Sequence, residues 1–434
     1  MVGGMPKDAP AVTVVGINYP PEPTGIAPYT GAMTRGLAAR GNRVRAVTAH
    51  PHYPDWKVAP GYGQWSRREH LASVAVHRVR HYVPRPPTGL RRLLSEITFG
   101  VRAAMTRWGR PNVLVFVSPA LFATCIGMLR AKLTHRRTPT VVWVQDLYSL
   151  GLAETGQGAG VTGRIMRLAE GSVLRAADKV VVIHDRFARR VSDDFGVGRD
   201  RISVVRNWTH LPSLSTVDRA AARKSLGWGD ETVVLHAGNM GVKQGLENVV
   251  EAARLSADTE AGVRFVLLGN GGERAALESS AEGVTQLDFL DPLPDAQFAT
   301  ALAAADVLLV NEKPGVSEMA VPSKLTSYFS TGRPVLAATD ESGITAEEIR
   351  AAEAGVVVPA GSPSALLEAA LSLGRDAARA DALGASGRRY RETVLDESFA
   401  IDRFANLLVQ LIRGGHEQHE VTSTGDSPLN GSSS

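Results

Sequence analysis

Ser323 and Lys324 open the segment SKLTSYFST, whose apolar residues Leu325, Tyr328 and Phe329 share one face at helical spacing. Ser323 is a good N-cap and Gly332 a good stop, so the pattern predicts a helix from Ser323 to about Thr331. Lys324 is then the odd residue, because a cation in the first turn opposes the positive end of the helix dipole. A bound anion removes that conflict. Free N–H groups, a capping Ser and a Lys where a parallel strand ends make a phosphate site; the other reading is a solvated Lys on a surface helix.

A second stretch offers the same chemistry. Residues 237–255, AGNMGVKQGLENVVEAARL, place a glycine-rich turn before an amphipathic helix. Gly238, Gly241 and Gly245 are expected to leave backbone N–H groups accessible while Lys243 supplies charge; an ordinary strand-to-helix turn is the alternative. Both stretches follow strands of one domain and can form two sides of a diphosphate site. The GNGG at 269–272 lacks the dinucleotide fingerprint spacing and reads as a turn before a helix.

The first half carries other candidates. Gly25 precedes a helix after a Pro-rich loop, where a glycine permits close approach of a ligand or simply makes the turn. His50 and His52 end a strand; with no carboxylate or further His beside them in sequence, a hydrogen-bonding loop is favoured over a metal site. Asp146 follows the apolar run VVWV, which puts a carboxylate on the ligand-binding rim of an open sheet or at the cap of the next segment.

These residues need strands and helices in alternation, and the chain supplies them twice. Apolar runs beginning at Val12, Val44, Val74, Val113, Val141, Val180 and Ile202 read as strands of one α/β domain. Those beginning at Val233, Val263, Val284, Val307 and Val335 read as strands of a second. The length, 434 residues with 44% hydrophobic content, suits two domains. The run from Val113 to Leu129 is long enough to suggest a membrane span, but Ser118-Pro119 splits it into a strand and a buried helix.

Charge separates the halves. Residues 1–210 hold 30 Lys/Arg against 13 Asp/Glu, and residues 211–434 hold 18 against 31, within a net charge of only +4. The basic half suits an anionic membrane surface or a phosphorylated acceptor; nucleic acid is disfavoured because no aromatic-and-basic interleaving is present. Arg78, Arg80, Arg85, Arg91, Arg92, Arg102, Arg107 and Arg110 lie among apolar residues and predict either a basic amphipathic surface resting on a membrane or a solvated basic helix. The single cysteine, Cys125, excludes an internal disulfide and is read as a small core residue.

The motifs PPEPTGIAPYTGAMTRGLAARG, VVRNW, HAGNMGVKQGLE and VPSKLTSYFSTGRPVLA together resemble those of the family 4 retaining glycosyltransferases, over about residues 10–413. The bacterial branch building colanic-acid-type exopolysaccharide, capsule and O-antigen is the most similar. The resemblance implies an α/β protein of GT-B architecture, two facing Rossmann-like doubly wound domains with a C-terminal helix crossing back. It divides the chain into a flexible start at 1–10, an acceptor-binding domain at 11–208 and a nucleotide-sugar-binding domain at 209–395. A crossover helix at 396–413 and a disordered tail at 414–434 follow.

The resemblance further implies that Gly238, Asn239, Lys243, Ser323 and Lys324 hold the donor diphosphate, that Gly25 meets it from the other domain, and that the loop through Phe289 and Leu290 meets the base. The family's paired glutamates fall at Met319 and Ser327, leaving neighbouring Glu318 as the candidate acid. Its His-acid pair falls at Gln145 and Asp146, leaving Asp146 as the catalytic candidate and His50 in reserve. The expected partners are a nucleotide-diphosphate sugar, usually a UDP-sugar, and a lipid-linked or oligosaccharide acceptor at the cytoplasmic membrane face. No cofactor and no metal are expected. Two alternatives stand: a UDP-sugar 2-epimerase of the same architecture, which needs cleft carboxylates for proton transfer, and an inactive nucleotide- or glycan-binding protein.

Overall fold

The computed structural model describes residues 9–23, 25–85, 89–149, 160–208, 217–315 and 323–423. It divides into two compact units, one made of residues 1–207 with 397–434 and the other of residues 208–396. Glu318 lies outside the described residues.

The first unit is built on an eight-stranded sheet in the order β3-β4-β2-β1-β5-β6-β7-β8. In chain order its strands are β1 (Ala11–Val15), β2 (Arg43–Ala49), β3 (Ser66–Leu71), β4 (Val74–Val79), β5 (Val113–Ser118), β6 (Thr140–Val144), β7 (Lys179–Val182) and β8 (Ile202–Val204). All pairings are parallel except β3 with β4. The central strands β5 and β6 are buried along their whole length, as parallel strands covered by helices on both faces must be. The sequence reading omitted β3, whose residues SRREHL carry no apolar run and alternate in exposure at the edge.

Helix α1 (Ala27–Ala39) follows β1, α2 (Gly89–Ala104) follows β4, α3 (Leu121–Thr134) follows β5, and α4 (Val161–Ala176) precedes β7. The 113–129 apolar run is indeed a strand and a helix. The C-terminal helix, Glu397–Ser423, belongs to this unit. Ile401 lies where a Cβ on Gly36 of α1 would be, Asp402 pairs with Arg40, and Phe404 meets Trp143 edge-on at 5.4 Å. The helix runs past Gly414, where the sequence reading placed a disordered tail. The Glu, Gln and His residues that follow carry ordinary helix propensity and extend a helix already nucleated by packing.

The second unit holds a fully parallel six-stranded sheet in the order β11-β10-β9-β12-β13-β14. Its strands are β9 (Thr232–Ala237), β10 (Val263–Leu268), β11 (Leu287–Leu290), β12 (Val307–Asn311), β13 (Val335–Thr339) and β14 (Gly355–Pro359). The Ser323–Thr331 helix forms as the spacing predicts, and Leu325, Tyr328 and Phe329 are fully buried. In each sheet the strand order reverses beside the first strand, between β1 and β5 and between β9 and β12. Ligands of open α/β sheets bind at the carboxyl ends of the strands at such a reversal.

Candidate active site

In the second unit the rim beside that reversal is cationic and internally braced. Lys324, half-buried in the first turn of its helix, points its Nζ at His236 Nε2, 3.4 Å away, at the end of β9. Burial pulls the Lys324 amine down to about 8, against the opposing field of Glu312. Burial, then the Lys324 charge, holds His236 well below the ordinary histidine range, so a neutral imidazole faces the ammonium. Glu312 follows β12 and accepts from Thr345 Oγ1 at 2.7 Å and from Thr339; burial raises its carboxyl above the usual range.

The glycine-rich turn lies against this cluster. A Cβ on Gly238 would sit 3.8 Å from Lys324 Nζ, so the turn and the Lys324 helix meet as the sequence pattern requires. The expectation of accessible glycine N–H groups is overturned. Gly238 donates to Leu268 O (2.8 Å), Gly241 to Gln244 Oε1 (3.0 Å) and Gly245 to Val242 O (3.3 Å). The cause is local: residues 242–244 close into a 3₁₀ turn, and Asn311 at the end of β12 donates to Gln244 O and Gly245 O from below. The neighbouring 269–272 turn is what the glycines accommodate. A Cβ on Gly269 would lie 2.0 Å from Gly238 O, and one on Gly271 2.2 Å from Met240 O.

Asn239 is exposed with its amide 3.4 Å from Gln244 Oε1, and Lys243 is half-buried with its carbonyl held by Lys313 N–H at 2.9 Å. Phe289 and Leu290 end β11 at the same edge, where Leu290 O accepts from Gly269 N–H at 3.0 Å. Ser323 supplies the first residue of its helix. Sequence reasoning missed His236, Asn311 and Glu312. Their signal was present: each is a polar residue closing, or directly following, an apolar strand.

The first unit's rim is different. Gly25, at φ +67, lets the chain turn against Tyr53, whose ring would stand 3.3 Å from an added Cβ. A cavity of about 160 Å³ opens here, bounded by Gly25, His52, Tyr53, Trp56, Ser95 and Glu96. Behind it the buried Glu22 carboxylate accepts from the backbone of His52 (2.8 Å) and Tyr53 (3.0 Å) and from Asn18 (2.9 Å). His52 stands by that carboxylate at 3.2 Å and by the half-buried ring of His81 at 4.8 Å. Glu22 is thus the carboxylate missing from the sequence reading of His50 and His52, supplied from a different loop.

His50 is buried at the end of β2, its Nε2 2.8 Å from Gln64 O, and burial lowers its pKa. Asp146 is exposed just past β6. With β1 and β5 between β2 and β6, the two lie about three strand spacings, roughly 14 Å, apart and do not form one acid-base pair. Gln145, in the family's histidine place, is buried and accepts from Asn207 Nδ2 at 2.9 Å.

Arg78 departs from its assignment to a basic surface. It is fully buried in β4, bonded to Glu69 at 2.5 Å and to Ala49 O at 3.1 Å, with the Tyr62 ring centroid 5.3 Å from its guanidinium. The alternation of β4 turns it inward. Cys125 is half-buried, and burial pushes its thiol up to about 11.

Two Rossmann-like units, a terminal helix and a lysine-headed helix at the rim of the second are the architecture of the GT-B class of α/β proteins. Residues 24–208 match the Glycosyl transferase 4-like domain and residues 231–376 the Glycosyl transferases group 1 domain. The chain is 36% identical over 338 residues to the putative colanic acid biosynthesis glycosyl transferase WcaI of Escherichia coli K12, covering 74% of this chain and 81% of that protein. This chain therefore belongs to the family 4 glycosyltransferases of the GT-B fold, in the branch of the colanic-acid enzymes.

Solved structures share the fold at low identity. Sucrose-phosphate synthase from Thermosynechococcus elongatus superposes with a TM-score of 0.70 at 18% identity, over 93% of this chain and 100% of that one. HepE of Anabaena, in complex with UDP-glucose, gives 0.64 at 14%, over 92% and 99%.

Proposed function

We propose that this glycosyltransferase moves a sugar from a UDP-sugar to a lipid-linked or growing glycan, with retention at the anomeric carbon. The observation that carries the reading is Lys324, a half-buried cation at a helix N-terminus, facing a neutral histidine and lacking a direct carboxylate contact among the described residues. As the bond from the anomeric carbon to the diphosphate oxygen breaks, negative charge grows on the diphosphate. Lys324 and Lys243 meet it, and a depressed amine gains most from an anion brought beside it. The acceptor oxygen bonds to the anomeric carbon and its proton passes to the departing diphosphate. Glu318 is assigned to the donor sugar and Asp146 to the acceptor side; His50, with Nε2 committed to Gln64, is given a supporting role. The lysines supply the positive charge in this reading, so a chelator leaves turnover unchanged. The HepE complex with UDP-glucose supports the choice of nucleotide.

Attachment to the inner face of an anionic membrane is part of the proposal. No helix among the described residues is long and apolar enough to cross a membrane. Three packed helices of the first unit nevertheless expose apolar stripes: Leu90, Leu94 and Val101 on α2, Leu129 and Leu133 on α3, and Val161, Ile165 and Leu168 on α4. Leu90 is 81% exposed and Leu168 66%, with Arg91, Arg92, Arg164 and Arg167 among them. Apolar stripes with interspersed arginines are the composition of an interfacial surface.

The first test is thermal-shift binding of UDP, GDP and ADP to the full chain and to Lys324→Ala. A rise with UDP that the variant loses is expected; no rise with any nucleotide overturns the donor assignment. Flotation with anionic vesicles is expected to weaken with salt and with Leu90→Ser/Leu94→Ser. Flotation insensitive to both removes the membrane reading.

A further inference from the structure

The cavity in the first unit holds more than a glycine turn. Ser95, 1% exposed on α2, lines it with an Oγ that has no hydrogen-bond partner, and an orphaned buried hydroxyl calls for a ligand or a water. Beside it Glu96, 5% exposed, uses Oε2 to accept from Phe122 N–H at 3.2 Å, capping α3, while Oε1 stands 4.0 Å from Arg92. Burial pushes this carboxyl up to about 7 against the pull of Phe122 N–H and Arg92.

Aromatic side chains also line the cavity. Tyr53 and Trp56 meet edge-on at 6.3 Å, and Trp56 meets His52 at 5.7 Å. Trp56 sits at φ +49, a strained conformation for a bulky side chain, of the kind that accumulates at ligand sites. At about 160 Å³ the space is well below the ~300 Å³ where drug-sized pockets begin, so it admits one ring and not an oligosaccharide.

Aromatic side chains together with a hydroxyl and a carboxyl in one small cavity match a pyranose, whose faces carry axial C–H groups and whose rim carries equatorial hydroxyls. Arg92, the one guanidinium among the described residues at the cavity, already stands 4.0 Å from the Glu96 carboxyl. An added anion would gain little from that partnered cation and would crowd Glu96, with the Glu22 carboxylate behind.

We propose that this cavity is a monosaccharide subsite for an uncharged sugar ring of the acceptor, with Trp56 and Tyr53 against its C–H groups and Ser95 Oγ and Glu96 Oε1 taking its hydroxyls. The inference rests on the acceptor-binding role proposed for the first unit. Ser95, Glu96 and Trp56 are binding residues for specificity and have no part in bond breaking.

Saturation-transfer NMR on the full-length protein tests it, with glucose and N-acetylglucosamine as neutral probes and glucuronate and glucose 1-phosphate as charged ones. Transfer to the ring protons of at least one neutral sugar is expected, with both charged probes weaker. Trp56→Ala should weaken binding about tenfold and Ser95→Ala about three- to tenfold. The thermal shift with UDP, measured on the same samples, should be unchanged in both variants and separates loss of this subsite from misfolding. Neutral sugars that give no transfer, or that bind both variants as well as the parent, overturn the subsite, as do charged probes that bind as well as neutral ones. A missing UDP shift with sugar transfer intact would overturn the donor assignment and leave the subsite standing.

Discussion

The two rims share a topology and differ in what the loops bring to it. The second unit's rim is held within its own loops: its glycine N–H groups donate inside the loops, Asn311 pins the loop carbonyls, and the charge at its centre is Lys324. The first unit's rim is held by side chains, with a buried Glu22 organising the 52–53 backbone around an aromatic cavity that keeps an orphaned hydroxyl. In the proposed reading one takes a phosphate, where charge decides, and the other a ring, where shape and hydroxyl count decide. A strand-order reversal therefore sets where a ligand binds, and the loops set which ligand.

The largest expected break falls on the cationic rim. Lys324→Ala should lower kcat for transfer roughly 100- to 1,000-fold, the cost of removing one group that meets developing charge, and steady-state kinetics with a UDP-sugar checks it. On the side-chain-held rim the corresponding break is in stability. Arg78→Ala leaves Glu69 with Arg67 alone and removes a buried charged hydrogen bond, which should cost about 1–3 kcal/mol in denaturant unfolding of the first unit. Gly269→Ala, whose Cβ would enter Gly238 O at φ +139, should cost about 1–3 kcal/mol and weaken UDP binding, which calorimetry of the variant measures.

A smaller effect sharpens the contrast by pH. Burial pulls the folded-state amine of Lys324 down to about 8, below the ordinary 10.5, so the free protein loses that proton as pH rises through 8. Binding of UDP favours the charged amine; affinity should be flat below pH 8 and fall by up to about tenfold per unit above it, and Lys324→Arg should abolish the fall. In the same window the unfolded chain binds more protons than the folded one, so the lysine's contribution to stability rises between pH 8 and 10.5. Titrating UDP across pH 7 to about 10 reads the first effect, and ligand-free unfolding the second.

Much of the fold was legible because parallel strands buried on both faces leave continuous apolar runs. VLVFV at 113–117 and VVWV at 141–144 need no tertiary information to be read as strands. β3 was illegible for the converse reason, since an edge strand lying half in solvent keeps no apolar signature. Lys324 was found from sequence because a cation at a helix start conflicts with a rule operating within one turn, and Gly238 because a glycine-rich turn before a helix is equally local.

What the sequence determined by itself was the set of local conflicts and periodicities: two α/β repeats, the split at Ser118-Pro119, the helix at Ser323 and the lysine that opens it. Tertiary structure alone decided which groups those residues meet. It turned Arg78 inward onto Glu69, set His236 against Lys324 across 88 positions of sequence, used the glycine N–H groups within the loop, and gathered Tyr53, Trp56 and Ser95 around one cavity. The physical reason is range. Capping, dipole and periodicity act within a few residues, whereas burial and hydrogen-bond satisfaction are settled only when distant strands bring their ends to the same edge.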